Sequence, residues 1–145
     1  MEIFTIGFTQ KSARQFFDIL KANDIRRLLD IRLSNGGQLA GFTKSADLEY
    51  FLREICDIDY THEPRLAPTK ELLTGYRHGA YSWDDYERIF EQLLVDREIE
   101  RTLDPTLFAE RTVMLCSEPT PEQCHRRLVA EHLQRVWDDV SIHHL

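Results

Sequence analysis

The sequence predicts an α/β fold: a single three-layer domain over residues 1–145, with a mostly parallel sheet of about five strands and helices on both faces. Three observations carry this. Short apolar, β-branched runs alternate with longer segments whose apolar residues recur at helical spacing. Runs such as Leu28-Leu29-Asp30-Ile31 are nearly continuous in apolar residues, as expected of parallel strands covered on both faces. A chain of 145 residues suits one core, and no repeat, linker or low-complexity tract divides it.

Taken in order, EIFTIG (2–7) is the first strand, ending in Gly. Ser12 stands where a cap belongs, before a helix over ARQFFDILKAN with Phe16, Phe17, Ile19 and Leu20 along its apolar stripe. RRLLDIR (26–32) is the second strand. Residues 33–44 are polar and Gly-rich, too irregular for either period. Ser45 then caps ADLEYFLREIC, which has Leu48, Phe51, Leu52 and Ile55 on one face. DIDYTHEP (57–64) is a weaker third strand, and a short helix is expected over 69–76. Ser82, with Asp84 and Asp85 in the first turn, opens a long helix that runs on to Pro105. Its seam is Trp83, Tyr86, Phe90, Leu93 and Leu94. RTVMLC (111–116) is the fourth strand, PEQCHRRLVAEHLQRVW (121–137) the last helix, and DVSIHHL (139–145) the last strand.

Charge and composition narrow the function. Eighteen basic against 25 acidic residues give a net charge of −7, which disfavours a protein that coats duplex nucleic acid. No run approaches the roughly 18 apolar residues of a membrane helix, so no membrane partner is expected. No basic leader precedes the first apolar run. Three cysteines cannot all pair internally, so a reduced, cytoplasmic chain is the expectation. Oligomeric state leaves no mark on the sequence.

Chemistry concentrates in LCSEPTPEQCHRRL (115–128). Cys116 closes a buried strand. Thr120, Pro121 and Gln123 then spell a capping box with Pro at the first helical position, which brings free backbone N–H groups and the positive end of a helix close to the strand terminus. Helix phase puts His125 and His132 on the buried face, with His125 aimed at the strand ends and Cys116. His132, deeper along the helix, is expected to be a core histidine.

Three roles compete for the cluster. Cys116 or Cys124 is a nucleophile activated by the helix start, His125 and Arg126; Cys116, Cys124 and His125 hold zinc; or both cysteines are small buried apolar groups. The C-x7-C-H spacing lacks the close cysteine pairs of structural zinc sites, so no metal and no cofactor is assigned. Glu122 stands where a cysteine phosphatase loop needs Arg, and no CxxC pair is present. Other strand ends add Gly7, Thr9 and Lys11 after the first strand, and Arg32 after the second, near Lys44. An internal Asp30–Arg32 ion pair is the competing reading there. Cys56 is expected to be filler, while His62, Tyr76, His78 and Tyr81 are candidates for a groove wall.

The stretches TIGFTQKS, LLDIR with LAGFTK, IDYTHEPRLAPT, SWDDY, LCSEPTPEQCHRRLVAEHL and the terminal IHHL resemble the family known as domain of unknown function 488. The resemblance spans nearly the whole chain, and the LC-S-E…CHR signature carries most of it. It implies an α/β fold and a pocket built from Thr9, Arg32, Lys44, Cys116, Glu118, Cys124, His125 and Arg126. It brings no established reaction. Many relatives have His where Phe8 stands, so a role for that His does not transfer.

The function expected is an enzyme, a hydrolase or transferase, with a cysteine-containing anion pocket at the carboxyl edge of the sheet. Its ligand is a small anionic, phosphorylated or nucleotide-like molecule. Thr9, Arg32, Lys44 and Arg126 bind it, Cys116 or Cys124 attacks, His125 moves protons, and Glu118 orients His125 or the substrate. The alternative is a non-catalytic module for nucleotides or nucleic-acid ends, with Phe8, Phe42 and Tyr76 stacking on bases.

Overall fold

A computed structural model describes residues 1–36 and 41–145. Five strands form one sheet: β1 (Glu2–Gly7), β2 (Arg27–Asp30), β3 (Asp59–His62), β4 (Thr112–Cys116) and β5 (Ser141–His144). Their order is β3-β2-β4-β1-β5, and every neighbouring pair runs parallel. The helices are α1 (Ala13–Ala22), α2 (Ser45–Phe51), α3 (Lys70–Arg77), α4 (Trp83–Asp96), α5 (Ile99–Thr102) and α6 (His125–Val136). Part of the irregular 33–44 stretch, residues 37–40, lies outside the described residues.

Strand order dictates the layers. The chain steps one way along the sheet from β1 to β2 to β3, and the other way from β3 to β4 and from β1's neighbour out to β5. Right-handed crossovers therefore send α1 and α2 to one face and α3 to α6 to the other. Two cores follow. Phe4, Ile6, Leu28, Val113 and Leu115 meet Phe16, Phe17, Leu20, Leu48 and Leu52 on the first face. Ile3, Leu29, Met114 and Cys116 meet Phe90, Leu94, Leu128, Val129 and Leu133 on the second. Alternation along each strand divides its side chains between the two.

Side-chain caps explain where three of the six helices begin. Ser12 and Ser82 each close a capping box, with Gln15 and Asp85 respectively. Thr69 accepts from the Leu72 N–H at 3.1 Å and starts α3, the helix that carries Tyr76. Thr69→Ala is expected to cost about 1 kcal/mol, read as a lower urea midpoint with unchanged slope.

Three helix boundaries differ from expectation. α2 starts at Ser45 rather than after it, with Lys44 as an N-cap that makes no side-chain bond. The Ser45 N–H is already taken by the Asn35 carbonyl at 2.8 Å, so a loop contact fixes this start. The helix from Ser82 stops at Asp96 and resumes as α5, because Glu98 adopts a left-handed conformation (φ 51°). Beside that break, the Arg97 guanidinium turns away to donate to the Arg65 and Ala67 carbonyls, both at 2.6 Å. Finally, α6 begins at His125 with Cys124 as N-cap, not with Thr120 and Pro121. Thr120 is not the N-cap, and residues 117–124 form bends and turns.

Candidate active site

At their carboxyl ends β1 and β2 lead to helices on one face, whereas β4, between them, leads to α6 on the other. Chains diverging from adjacent strand ends leave a crevice, the usual ligand position in open α/β sheets. Between β2 and β4 this crevice is a cleft of about 150 Å³. Arg32 and Ser34 line it from one side and Ser117, Glu118, Cys124 and His125 from the other; Tyr76, Arg77, Trp83 and Tyr86 form its wall.

Behind the cleft lies Arg126, whose side chain is completely buried. Its Nη1 donates to the Cys116 sulfur at 3.3 Å and to the Glu118 carbonyl, and lies 4.0 Å from the Cys124 sulfur. Its Nε and Nη2 have no partner among the described residues. Burial lowers the Arg126 pKa to about 10, with the Glu118 and Glu122 carboxylates pulling the other way. It is still a cation at neutral pH. Lys11 is depressed too, by burial first and then by Arg126. The guanidinium reaches this depth because Gly7 has no side chain: a Cβ there would stand 2.5 Å from Arg126 Nη1 and far inside contact distance of the Glu118 carbonyl.

Cys116 and Cys124 are buried and paired sulfur to sulfur, across Cα atoms 7.6 Å apart. Cys124 faces the cleft; Cys116 lies behind it. His125 Nε2 is 2.8 Å from the Ile31 carbonyl. A carbonyl can only accept, so Nε2 carries the proton and Nδ1 offers its lone pair. Enclosure pushes the His125 pKa down to about 4, against the Ile31 bond, so the ring is neutral. One donor atom from each of Cys116, Cys124 and His125 lies within 4.8 Å of the others. The group that orients His125 is thus the Ile31 carbonyl, while Glu118 faces the cleft.

Arg32 lies on the cleft wall with its head engaged. Nε and Nη2 form a two-pronged bond to the fully buried Asp30, each at 2.9 Å, and Nη2 also donates to the Thr43 carbonyl. Asp30 accepts in addition from the Tyr60 hydroxyl at 2.6 Å, which together with burial raises the phenol pKa. His62 Nε2 bonds the Arg32 carbonyl. Thr9 donates to the Ser117 carbonyl, tying the loop after β1 to the loop after β4. Lys44 caps α2 and is not among the cleft-lining residues.

Of the aromatic wall, Tyr76 was a groove candidate in the sequence; Trp83 and Tyr86 were not. Trp83 and Tyr86 stack at 5.0 Å and 17°, and Tyr76 meets them at 5.8 and 5.2 Å. Trp83 and Tyr86 read as core seam, and Tyr86 is indeed buried in the core with Trp83 packed against it, but both also line the cleft. Two rings in the first turn of a well-capped helix were the available signal. Of the other candidates, Tyr81 packs against Gly75, while His78 is not among the lining residues. Phe8 is buried beneath Arg32, and Phe42 packs on Phe16 and Phe17, so of the three stacking rings expected only Tyr76 lines the cleft.

The family model for domain of unknown function DUF488 matches residues 12–133, a span that includes every cleft residue. The chain belongs to this family. A comparison with curated proteins and with solved structures finds no match. Among the described residues no helix is long and apolar enough to cross a membrane.

Proposed function

We propose that this member of the DUF488 family is an enzyme with a cysteine-containing pocket for a small anionic, nucleotide-like substrate. One observation carries the reading: a fully buried guanidinium, Arg126, contacts a sulfur pair at the floor of the cleft and keeps two N–H-bearing nitrogens unpartnered. A buried cation is costly unless negative charge compensates it. The Glu118 and Glu122 carboxylates supply part of that charge; thiolate sulfur of the reduced pair and a bound anion are the further sources the pocket offers. The Tyr76–Trp83–Tyr86 wall supports a flat ring in the ligand, and Arg77 at its mouth supports a phosphate or carboxylate. The reaction in this reading is hydrolysis or group transfer at the sulfur floor, in a reducing, cytoplasm-like compartment that keeps thiols available.

Trp83 supplies the test. Trp137 packs on Phe108, outside the cleft lining, so Trp137→Phe leaves Trp83 as the reporter. Nucleoside monophosphates are expected to quench its fluorescence saturably, and Arg77→Ala to weaken binding several-fold, more at low salt than at high. Turnover of the bound compound, followed by NMR, is expected to vanish in Cys124→Ser. Binding without turnover in the native protein makes this a binding module; absence of saturable quenching by any member of the panel removes the ligand class.

A further inference from the structure

We propose that Cys116, Cys124 and His125 bind one divalent ion of the zinc class, leaving its fourth position open to the cleft. The proposal deepens the reading above by stating what the sulfurs do, and it rests on that reading only for the identity of the fourth ligand.

The donor set is the first argument. Two thiols and an imidazole, with one donor atom each inside a 4.8 Å circle, are the soft and borderline ligands that zinc takes. The sequence already offered this set as one of three roles, although its C-x7-C-H spacing lacks the close cysteine pairs of structural zinc sites. Cys124 and His125 are adjacent, but Cys116 reaches them only because β4 ends where α6 begins.

Backbone separation is the second. The two cysteine Cα atoms are 7.6 Å apart, wider than the roughly 4.4–6.8 Å that disulfides span. With metal–sulfur bonds of about 2.3 Å, two thiolates on one tetrahedral ion stand about 3.8 Å apart.

The outer contacts are the third. A metal-bound histidine commonly donates its remote ring N–H to a carbonyl, which fixes the tautomer and turns the other nitrogen to the ion. His125 already makes this bond, to Ile31. Arg126 Nη1 donates to the Cys116 sulfur, as groups around metal thiolates do.

Charge identifies the fourth ligand. Binding releases one proton from each thiol to solvent, so a divalent ion with two thiolates and a neutral imidazole sums to zero. The ion and its protein ligands then add no negative charge near buried Arg126, on which the Glu118 and Glu122 carboxylates act. A monoanion in the open position, a hydroxide or an oxygen of a carboxylate or phosphate, adds that charge. Three protein ligands and one exchangeable position is the arrangement of catalytic rather than structural zinc.

The experiment uses the full-length reduced protein, purified without chelator. Elemental analysis is expected to find about one zinc per chain. Cobalt added to the zinc-free protein should give the visible bands of a tetrahedral site and a thiolate-to-cobalt charge-transfer band. His125→Ala and Cys124→Ser should each lose at least tenfold in affinity, while Cys56→Ser, which removes the one free cysteine of the structure, should keep the spectrum. Wild-type protein that is folded by circular dichroism yet leaves cobalt with its aqueous spectrum overturns the proposal, whatever the variants do. So does zinc-saturated protein in which a thiol reagent still modifies both cysteines as fast as in the zinc-free form. Nucleotide quenching of Trp83 is scored separately: a cobalt site without nucleotide binding refutes the ligand class alone, and nucleotide binding without a cobalt site refutes the metal alone.

Discussion

Gly7→Ala is expected to lower stability by about 3 kcal/mol or more, since overpacking a filled interior forces backbone shifts. Gly7 ends β1 beside Cys116 of β4 in parallel register. An added methyl would collide with the Glu118 carbonyl and crowd Arg126 Nη1. The Glu118 carbonyl is backbone and cannot swing aside, so either the loop after β4 moves or β1 and β4 part at their ends. Both remove the pocket floor. Urea unfolding followed by circular dichroism gives the stability loss. If Gly7→Ala unfolds at the wild-type midpoint, the close approach of the two loops is wrong.

Asp30→Ala is expected to cost about 3–5 kcal/mol, the usual penalty for stranding a buried charge. Asp30 is completely inaccessible and, among the described residues, is the only carboxylate paired with Arg32, itself 6 % exposed. The same acceptor also holds the Tyr60 hydroxyl and the Arg32 backbone N–H, so its loss leaves several donors without partners. The comparison that separates charge from packing is the double variant Asp30→Leu with Arg32→Met. Removing both charges together should recover most of the loss. Tyr60→Phe, which deletes one neutral donor, should cost only about 1 kcal/mol. Equal losses in the single and double charge variants would show that the pair acts through its volume.

The fold was legible because its signals were local. Leu28 to Ile31, Thr112 to Cys116 and the stripe of α4 each follow from side-chain pattern alone, and parallel pairing follows from the lack of polar alternation. Strand order was not legible, because nothing near Cys116 in the chain says that β4 lies between β2 and β1. Helix phase did turn His125 toward Cys116. The capping box did not form: α6 starts four residues after Pro121, at His125, with Cys124 as its N-cap. The two readings weighed for Arg32 prove compatible in space, since it pairs internally with Asp30 and also lines the cleft. Trp83 and Tyr86 escaped notice as cleft residues because a helical stripe that packs on the core and one that also lines a cleft use the same spacing.

The position of β4 has a consequence for how the molecule assembles. β1 and β2 come early in the chain but are not neighbours; the strand that joins them emerges some eighty residues later. β4 also supplies Val113 and Leu115 to one core and Met114 and Cys116 to the other. Until it inserts, neither core can close, and pairing that depends on such distant segments is intrinsically slow. The floor of the cleft, which Cys116 of β4 helps to form, is completed by the same strand that closes both cores.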